Sequence, residues 1–393
     1  MLGQALAAIT VLDFSQGIAG PYCACMLAEL GARVIKIEPP EGDWGRYVGP
    51  RYGDSGVIFR SFNKGKKSIV LDLKESVARD AALRLADHAD VFIESNRPGA
   101  MKRCGLDHEA LSRRNPRLVY VSVTGFGQLG PYAGRAATDS LMQAFTGLSY
   151  AALGGEHPAR IRLGVIDVSA GLYASHAVLA ALIERGRSGI GQNLDINLTH
   201  AAAALQAYKI AEDAASAGAP QQELYAGIGT YRTRDGWLAV SAIREKHVIG
   251  LMELIGRSDL LLDPRFFTTE ARLANQGALR EMISAEILKM PTSYWSEQMQ
   301  KADLMGQEVL DYNGFRGDSH VENQGIFQTV EFDGIGPLPT VRVPGLLREE
   351  AKLESSSELG RHTKEVLTEF GVPSADVAAV LQANGADRPA AAR

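Results

Sequence analysis

Residues 10–38, TVLDFSQGIAGPYCACMLAELGARVIKIE, decide the fold. Two β-branched runs, Thr10 to Phe14 and Arg33 to Glu38, enclose Cys23, Met26, Leu27 and Leu30 at helical spacing, with Pro21 in the first turn and Gly31 as the stop. Strands joined by a crossover helix run parallel, so the stretch reads as one βαβ unit. Working outward, Lys67 to Leu73, Val91 to Glu94 and Leu118 to Val123 read as further strands separated by helical stretches, the pattern of a wound, Rossmann-like α/β sheet. Gly164 to Arg185 sets Leu172, Leu179, Leu182 and Ile183 among alanines and reads as a helix, with a strand following at Asn193 to Leu198. Residues 199–223 read as helix and loose connector, 225–242 as a hairpin turning at Arg234, Asp235 and Gly236, and 246–303 as charge-laced helix. Loops and short strands, a last helix from Arg361 to Phe370 and a weakly apolar tail, ANGADRPAAAR, complete the chain. The expected organisation is a large α/β domain from 1–200, a linker at 201–224, a smaller α+β domain at 225–315, and a return to the large domain over 316–393.

The 393 residues are 46% hydrophobic, enough for ordinary globular cores. A net charge of -5 without a long Lys/Arg block argues against a nucleic-acid or anionic-membrane partner and for a small ligand. Cys23, Cys25 and Cys104 are an odd number without spaced Cys/His pairs, so no disulfide framework and no metal site is expected. Residues 1–12 carry no basic leader, and no apolar run reaches the roughly 18 residues of a membrane helix, so the expected location is cytoplasmic.

Three stretches invite a chemical reading. Gln16 to Gly20, between a strand and a helix with Glu38 ending the next strand, resembles a dinucleotide turn; yet its spacing is GxxG, and the other reading is a tight βα connection. NKGKKSIVLDLK sets Lys64, Lys66, Lys67 and Lys74 around a strand, either as a rim for a polyanion or as edge-strand protection. Arg97 and Arg103, just beyond a strand end, sit where α/β sheets hold ligands. In LGVIDVSAG, Asp167 opens the strong helix, where a carboxylate is either a plain N-cap or a nucleophile that apolar neighbours desolvate and helix amides keep ionised. Cys23 and Cys25, two apart in a helix, read as small core residues.

Several segments together resemble the class III CoA-transferases, the family of formyl-CoA transferase and the carnitine CoA-transferases. They are residues 11–43, NKGKKSIVLDLK, ESNRPGAMKRCGLD, VSVTGFGQLGPYAG, TDSLMQAFTGL, IDVSAGLYASHAVLAALIERGRSGIGQ, DPRFFTTEARLAN and ELGRHTKEVLTEFG, in family order along nearly the whole chain. The resemblance implies a Rossmann-like large domain with a smaller domain, an interlocked homodimer, and CoA exchange between carboxylic acids without a permanently bound cofactor. It makes Asp167 the nucleophile, forming a mixed anhydride and then an aspartyl-CoA thioester. It puts CoA contacts at Gln16, Gly17, Ile18, Leu71, Lys74, Ser95, Asn96, Arg103 and Cys104, with Arg97 and Asp139 beside them. Amides of a glycine-rich loop, here at Gly227 and Gly229 or else an ordinary hairpin, would face the oxyanion.

The chain departs from the better-known member at Pro39 and Ile18, which argues against a formyl/oxalyl substrate pair. Arg160 and Arg162 could bind the distal carboxylate of a C4 or C5 dicarboxylate such as succinate or itaconate, with succinyl-CoA as donor; strand-edge or CoA contacts are the other reading. The family's racemases place histidine before the acid matching Asp139, whereas this chain has Thr138 there. An acyl-CoA racemase, a nicotinamide-dependent oxidoreductase and a catalytically silent CoA-binding module are the competing functions.

Overall fold

A computed structural model describes residues 2–53, 55–152, 157–216, 225–332, 334–346 and 354–385. The end of the expected connector, 217–224, and most of the expected tail, 386–393, lie outside them. The chain divides into two compact units, Met1–Tyr208 with Gly325–Arg393, and Lys209–Gln324.

The first unit is built on strands β1 (Thr10–Asp13), β2 (Arg33–Glu38), β3 (Lys67–Val70), β4 (Val91–Glu94), β5 (Val119–Thr124) and β6 (Asn193–Asn197), joined in the order β3-β2-β1-β4-β5-β6. Every pairing is parallel. This mixed α/β fold has the strand order of a doubly wound sheet, whose topological switch point lies between β1 and β4. Side chains alternate along each strand and fill two cores. Val11, Val34, Val91, Ile93, Val119 and Val121 face one side, packed with α1 (Ala19–Glu29) and the later helix Val165–Ser188. Leu12, Ile35, Ile69, Phe92 and Tyr120 face the other, where α2 (Ser76–Asp87) covers them. Rings of Phe14, Phe92 and Tyr120 stack across three strands at 4.6 and 5.1 Å.

Short α3 (Ala100–Arg103) and α4 (Asp139–Phe145) precede α5, the 24-residue helix Val165–Ser188. By length and composition alone α5 is long and apolar enough to cross a bilayer, contrary to the expectation that no run reaches that length. It packs against the sheet with Ile166, Ala170, Ala174 and Val178 fully buried. Gly171 permits that packing: a Cβ there would lie 2.7 Å from the Ala19 carbonyl oxygen of α1. Two closing helices, α6 (Thr363–Glu369) and α7 (Ser374–Gly385), contribute Val366, Leu367, Val377 and Val380 to the second core. Helix α7 takes in the first residues of the expected loose tail, because Val377 and Val380 recur at i, i+3 and find a core to enter.

In the second unit, β7 (Gly227–Arg232) and β8 (Trp237–Ala242) form the expected hairpin, and β9 (Gly306–Glu308) pairs with β8. Helices over 245–254, 276–287 and 292–301 bury Leu251, Ile283, Ile287 and Trp295 against that sheet.

Candidate active site

Beneath the loop after β1 lies a floor of buried charges. Lys66 Nζ is 2.7 Å from Asp13 Oδ2 and also donates to the Pro21 carbonyl and Asn63 Oδ1. Lys36 Nζ lies 2.8 Å from Asp43 Oδ2 and donates to the Ser15 carbonyl. Burial pushes Asp13 up, but Lys36 and Lys66 beside it prevail and hold its carboxyl below the usual range. Glu38 accepts from Arg46 at 2.7 and 2.8 Å and from Ser68 Oγ at 2.6 Å, so it too is held low against burial. Such buried pairs contribute little net stability; what they fix is geometry.

The geometry fixed here is that of the first loop. Asp43 Oδ1 accepts from the Gly17 amide at 2.9 Å and from the Gly45 amide at 2.8 Å, while the Gln16 amide donates to Ser95 Oγ at 2.8 Å. Gly17 has φ +82°, and a Cβ there would lie 2.2 Å from Trp44 Cζ2. The Gln16–Ser95 bond stitches the loop after β1 to the loop after β4, across the switch point where open α/β sheets bind ligands. It also answers the dinucleotide reading. Two amides a pyrophosphate would need are engaged, and the acid that would grip a ribose is buried under Arg46.

The basic stretch is spent in a similar way. Lys64 pairs with Glu29 at 2.6 Å, Lys66 with Asp13, and Lys67 with Glu365 at 2.6 Å, so of the four lysines offered either as a rim or as edge-strand protection, exposed Lys74 is the one left for a polyanion. Lys74 follows β3, two strands or about 10 Å from β1. Leu71 is buried in the second core, leaving only its backbone for a ligand. Arg97 and Arg103 are exposed, Asn96 is half-buried with its amide on Glu94, and Cys104 is half-buried after α3.

Asp167 stands in the first turn of α5 and is half-buried. The cap of that helix is a different acid: Asp139 Oδ2 accepts from the Ile166 amide at 2.8 Å and the Asp167 amide at 3.2 Å. The two orphan donors expected to keep Asp167 ionised are therefore turned to Asp139. Burial, and then repulsion by Asp139, push Asp167 up to about 7. A Cβ on Gly164 would lie 3.6 Å from Ile18 Cδ1 and 3.9 Å from Asp167 Cβ, so the Ile18 side chain of the first loop reaches the backbone turn that carries Asp167.

Gln143 holds this corner together, a role the sequence reading passed over. Fully buried, it donates to Asp139 Oδ1 at 2.6 Å and to the carbonyls of Ile161 and Leu163, and accepts from the Ile161 amide at 2.8 Å. Its one sequence signal is the i, i+4 spacing to Asp139 within TDSLMQAF. Arg160 and Arg162, on the segment Gln143 grips, are exposed, and neither makes an ion pair or hydrogen bond among the described residues. Thr138, where a racemase would have its histidine, caps α4 through the Leu141 amide.

Gly227 and Gly229 lie in β7, an edge strand, so they belong to a hairpin and not to an open loop. A shallow depression of about 430 Å³ on that sheet is lined by Gly229, Thr230, Ser241, Met305 and Gln307 among others. It belongs to the second unit, whereas the acids, the switch-point loops and the exposed cations belong to the first; the chemistry follows those groups.

The sequence pattern of CoA-transferase family III matches residues 6–363. The acetyl-CoA:oxalate CoA-transferase of Acetobacter aceti is 33% identical over 312 residues, 77% of this chain and 80% of that protein. The succinate–glutarate CoA-transferase of Agrobacterium fabrum is 32% identical over 384 residues, covering 93% and 95%. Among solved structures, a CaiB/BaiF family protein from Brucella suis superimposes with a TM-score of 0.82 at 30% identity, over 92% of this chain and 98% of that one.

Proposed function

The chain belongs to CoA-transferase family III, and from that premise we propose that it carries CoA from succinyl-CoA to a C4 or C5 dicarboxylic acid such as itaconate, with Asp167 as nucleophile. The observation that carries this reading is the state of Asp167: half-buried, raised to about 7 by burial and by Asp139, and in no ion pair among the described residues. A carboxylate of that basicity is about half ionised at neutral pH and more nucleophilic than an ordinary one.

The Asp167 carboxylate attacks the thioester carbonyl; a C–O bond forms, the C–S bond breaks, and CoA thiolate leaves with the electron pair. The thiolate then attacks the aspartyl carbonyl of the mixed anhydride, expelling the donor acid as its carboxylate and leaving an aspartyl-CoA thioester. The acceptor carboxylate attacks this thioester, and returning thiolate takes the acceptor acyl group and frees Asp167. Each step exchanges one activated acyl group for another, so no outside energy source is needed.

Support for the ligand comes from the exposed cations Lys74, Arg97 and Arg103 beyond the strand ends, spread as an elongated polyanion requires. The dicarboxylate choice rests on Arg160 and Arg162, and on succinate and glutarate in the name of one relative. An interlocked homodimer is part of the same reading; sedimentation as a fully active monomer would discard it. To test the chemistry, the protein is incubated with a panel of acyl-CoA esters, treated with hydroxylamine or borohydride, and digested for mass spectrometry. Modification on the Asp167 peptide is expected, and an unmodified peptide during turnover sinks the proposal.

A further inference from the structure

We infer that Gln143 is a positioning residue that locks the segment bearing Arg160 and Arg162 to the helix bearing Asp167, so that acceptor selection and nucleophile basicity are set by one buried amide. The inference rests on the proposed role of Asp167. The connections form a closed chain. The Gln143 amide nitrogen fixes Asp139 through Oδ1, which leaves Oδ2 to accept from the Ile166 and Asp167 amides. The same amide group receives the Ile161 amide and donates to the Ile161 and Leu163 carbonyls, so the backbone on both sides of Arg162 hangs from it.

Gln143 is 0% exposed and all its polar atoms are engaged, so water cannot replace it at low cost. Asp139 is the charged neighbour acting on Asp167, so whatever moves Asp139 moves the basicity of Asp167. Loss of the Gln143 donor frees Asp139 to turn away, which lessens its repulsion and returns the two helix amides to Asp167.

The test compares Gln143→Met, close in shape and apolar, with Gln143→Glu, which when protonated can still donate to Asp139. Hydrogen exchange is read in peptides covering 157–163 and 164–172, and kcat/KM is followed against pH for a dicarboxylate and a monocarboxylate acceptor. In Gln143→Met, exchange speeds up roughly tenfold in both peptides, the ascending limb shifts to lower pH by about 1, and the dicarboxylate preference falls roughly tenfold. Gln143→Glu restores protection below about pH 6, where its carboxyl carries a proton, and loses it at pH 8; this variant carries the test if Gln143→Met does not fold. Faster exchange in one peptide alone, or in both with pH limb and acceptor preference unmoved, overturns the inference. Full activity in Asp167→Asn would instead overturn the nucleophile assignment while leaving the exchange result standing.

Discussion

Two clusters of acids in the first unit are treated in opposite ways. Under the first loop, Asp13, Asp43 and Glu38 are buried with Lys36, Lys66 and Arg46, three negative and three positive groups. At the start of α5, Asp139 is met by the Ile166 and Asp167 amides and by Gln143, and neither it nor Asp167 has an ion-pair partner among the described residues. The first arrangement holds Asp13 and Glu38 below the usual range; the second leaves Asp167 near 7. Acids that shape a fold are compensated on the spot, and an acid left uncompensated is one that can change its state during a reaction.

The sharpest way to break the comparison is to neutralise one acid of each kind. Asp167→Asn is expected to lower CoA exchange by about a thousandfold or more. The fold favours neutral Asp167, so its contribution lowers stability as pH climbs from about 4 to about 7. At pH 8 the same variant should therefore unfold at higher urea, with an unfolding free energy larger by roughly 2–4 kcal/mol. Asp13 has the opposite sign: its stabilisation is present above its ordinary value and lost as pH falls through the lowered one. Asp13→Asn should cost about 3–5 kcal/mol at pH 8, because Lys36 and Lys66 are left buried with one negative partner fewer. Equal urea midpoints for the two variants would erase the distinction.

The ascending limb of kcat/KM should fall near pH 7, since Asp167 must lose its proton to attack. A limb near pH 4 would show an acid with ordinary solvation. Arg162→Ala is expected to raise KM for dicarboxylate acceptors about tenfold and leave monocarboxylates unchanged. Unchanged KM for both removes Arg162 from acceptor binding. Last, Lys67→Ala breaks the exposed pair with Glu365 and should change the unfolding free energy read from urea titration by no more than about 0.5 kcal/mol, in contrast to the buried pairs.

Much of the frame was legible because it is local. The β-branched runs at 10–14, 33–38 and 91–94 lie where β1, β2 and β4 lie, and the Asp235–Gly236 turn was readable from its own residues. Helix α7 escaped notice because its alanine-rich surface hides Val377 and Val380 until a core is there to receive them. Lys64 and Lys66 stayed open between a polyanion rim and edge-strand protection because composition cannot tell a solvated lysine from one facing Glu29 or Asp13.

The sequence by itself determined the alternation of strands and helices, the tight first loop, and the place of Asp167 at a helix start. Tertiary structure alone decided which acid caps that helix and which acids meet a cation. The reason is range: periodicity acts over a few residues, whereas Gly17 meets Asp43 across 26 positions, Ile166 meets Asp139 across 27, and Lys66 meets Asp13 across 53. Charge compensation belongs to distances in space, and only folding sets those.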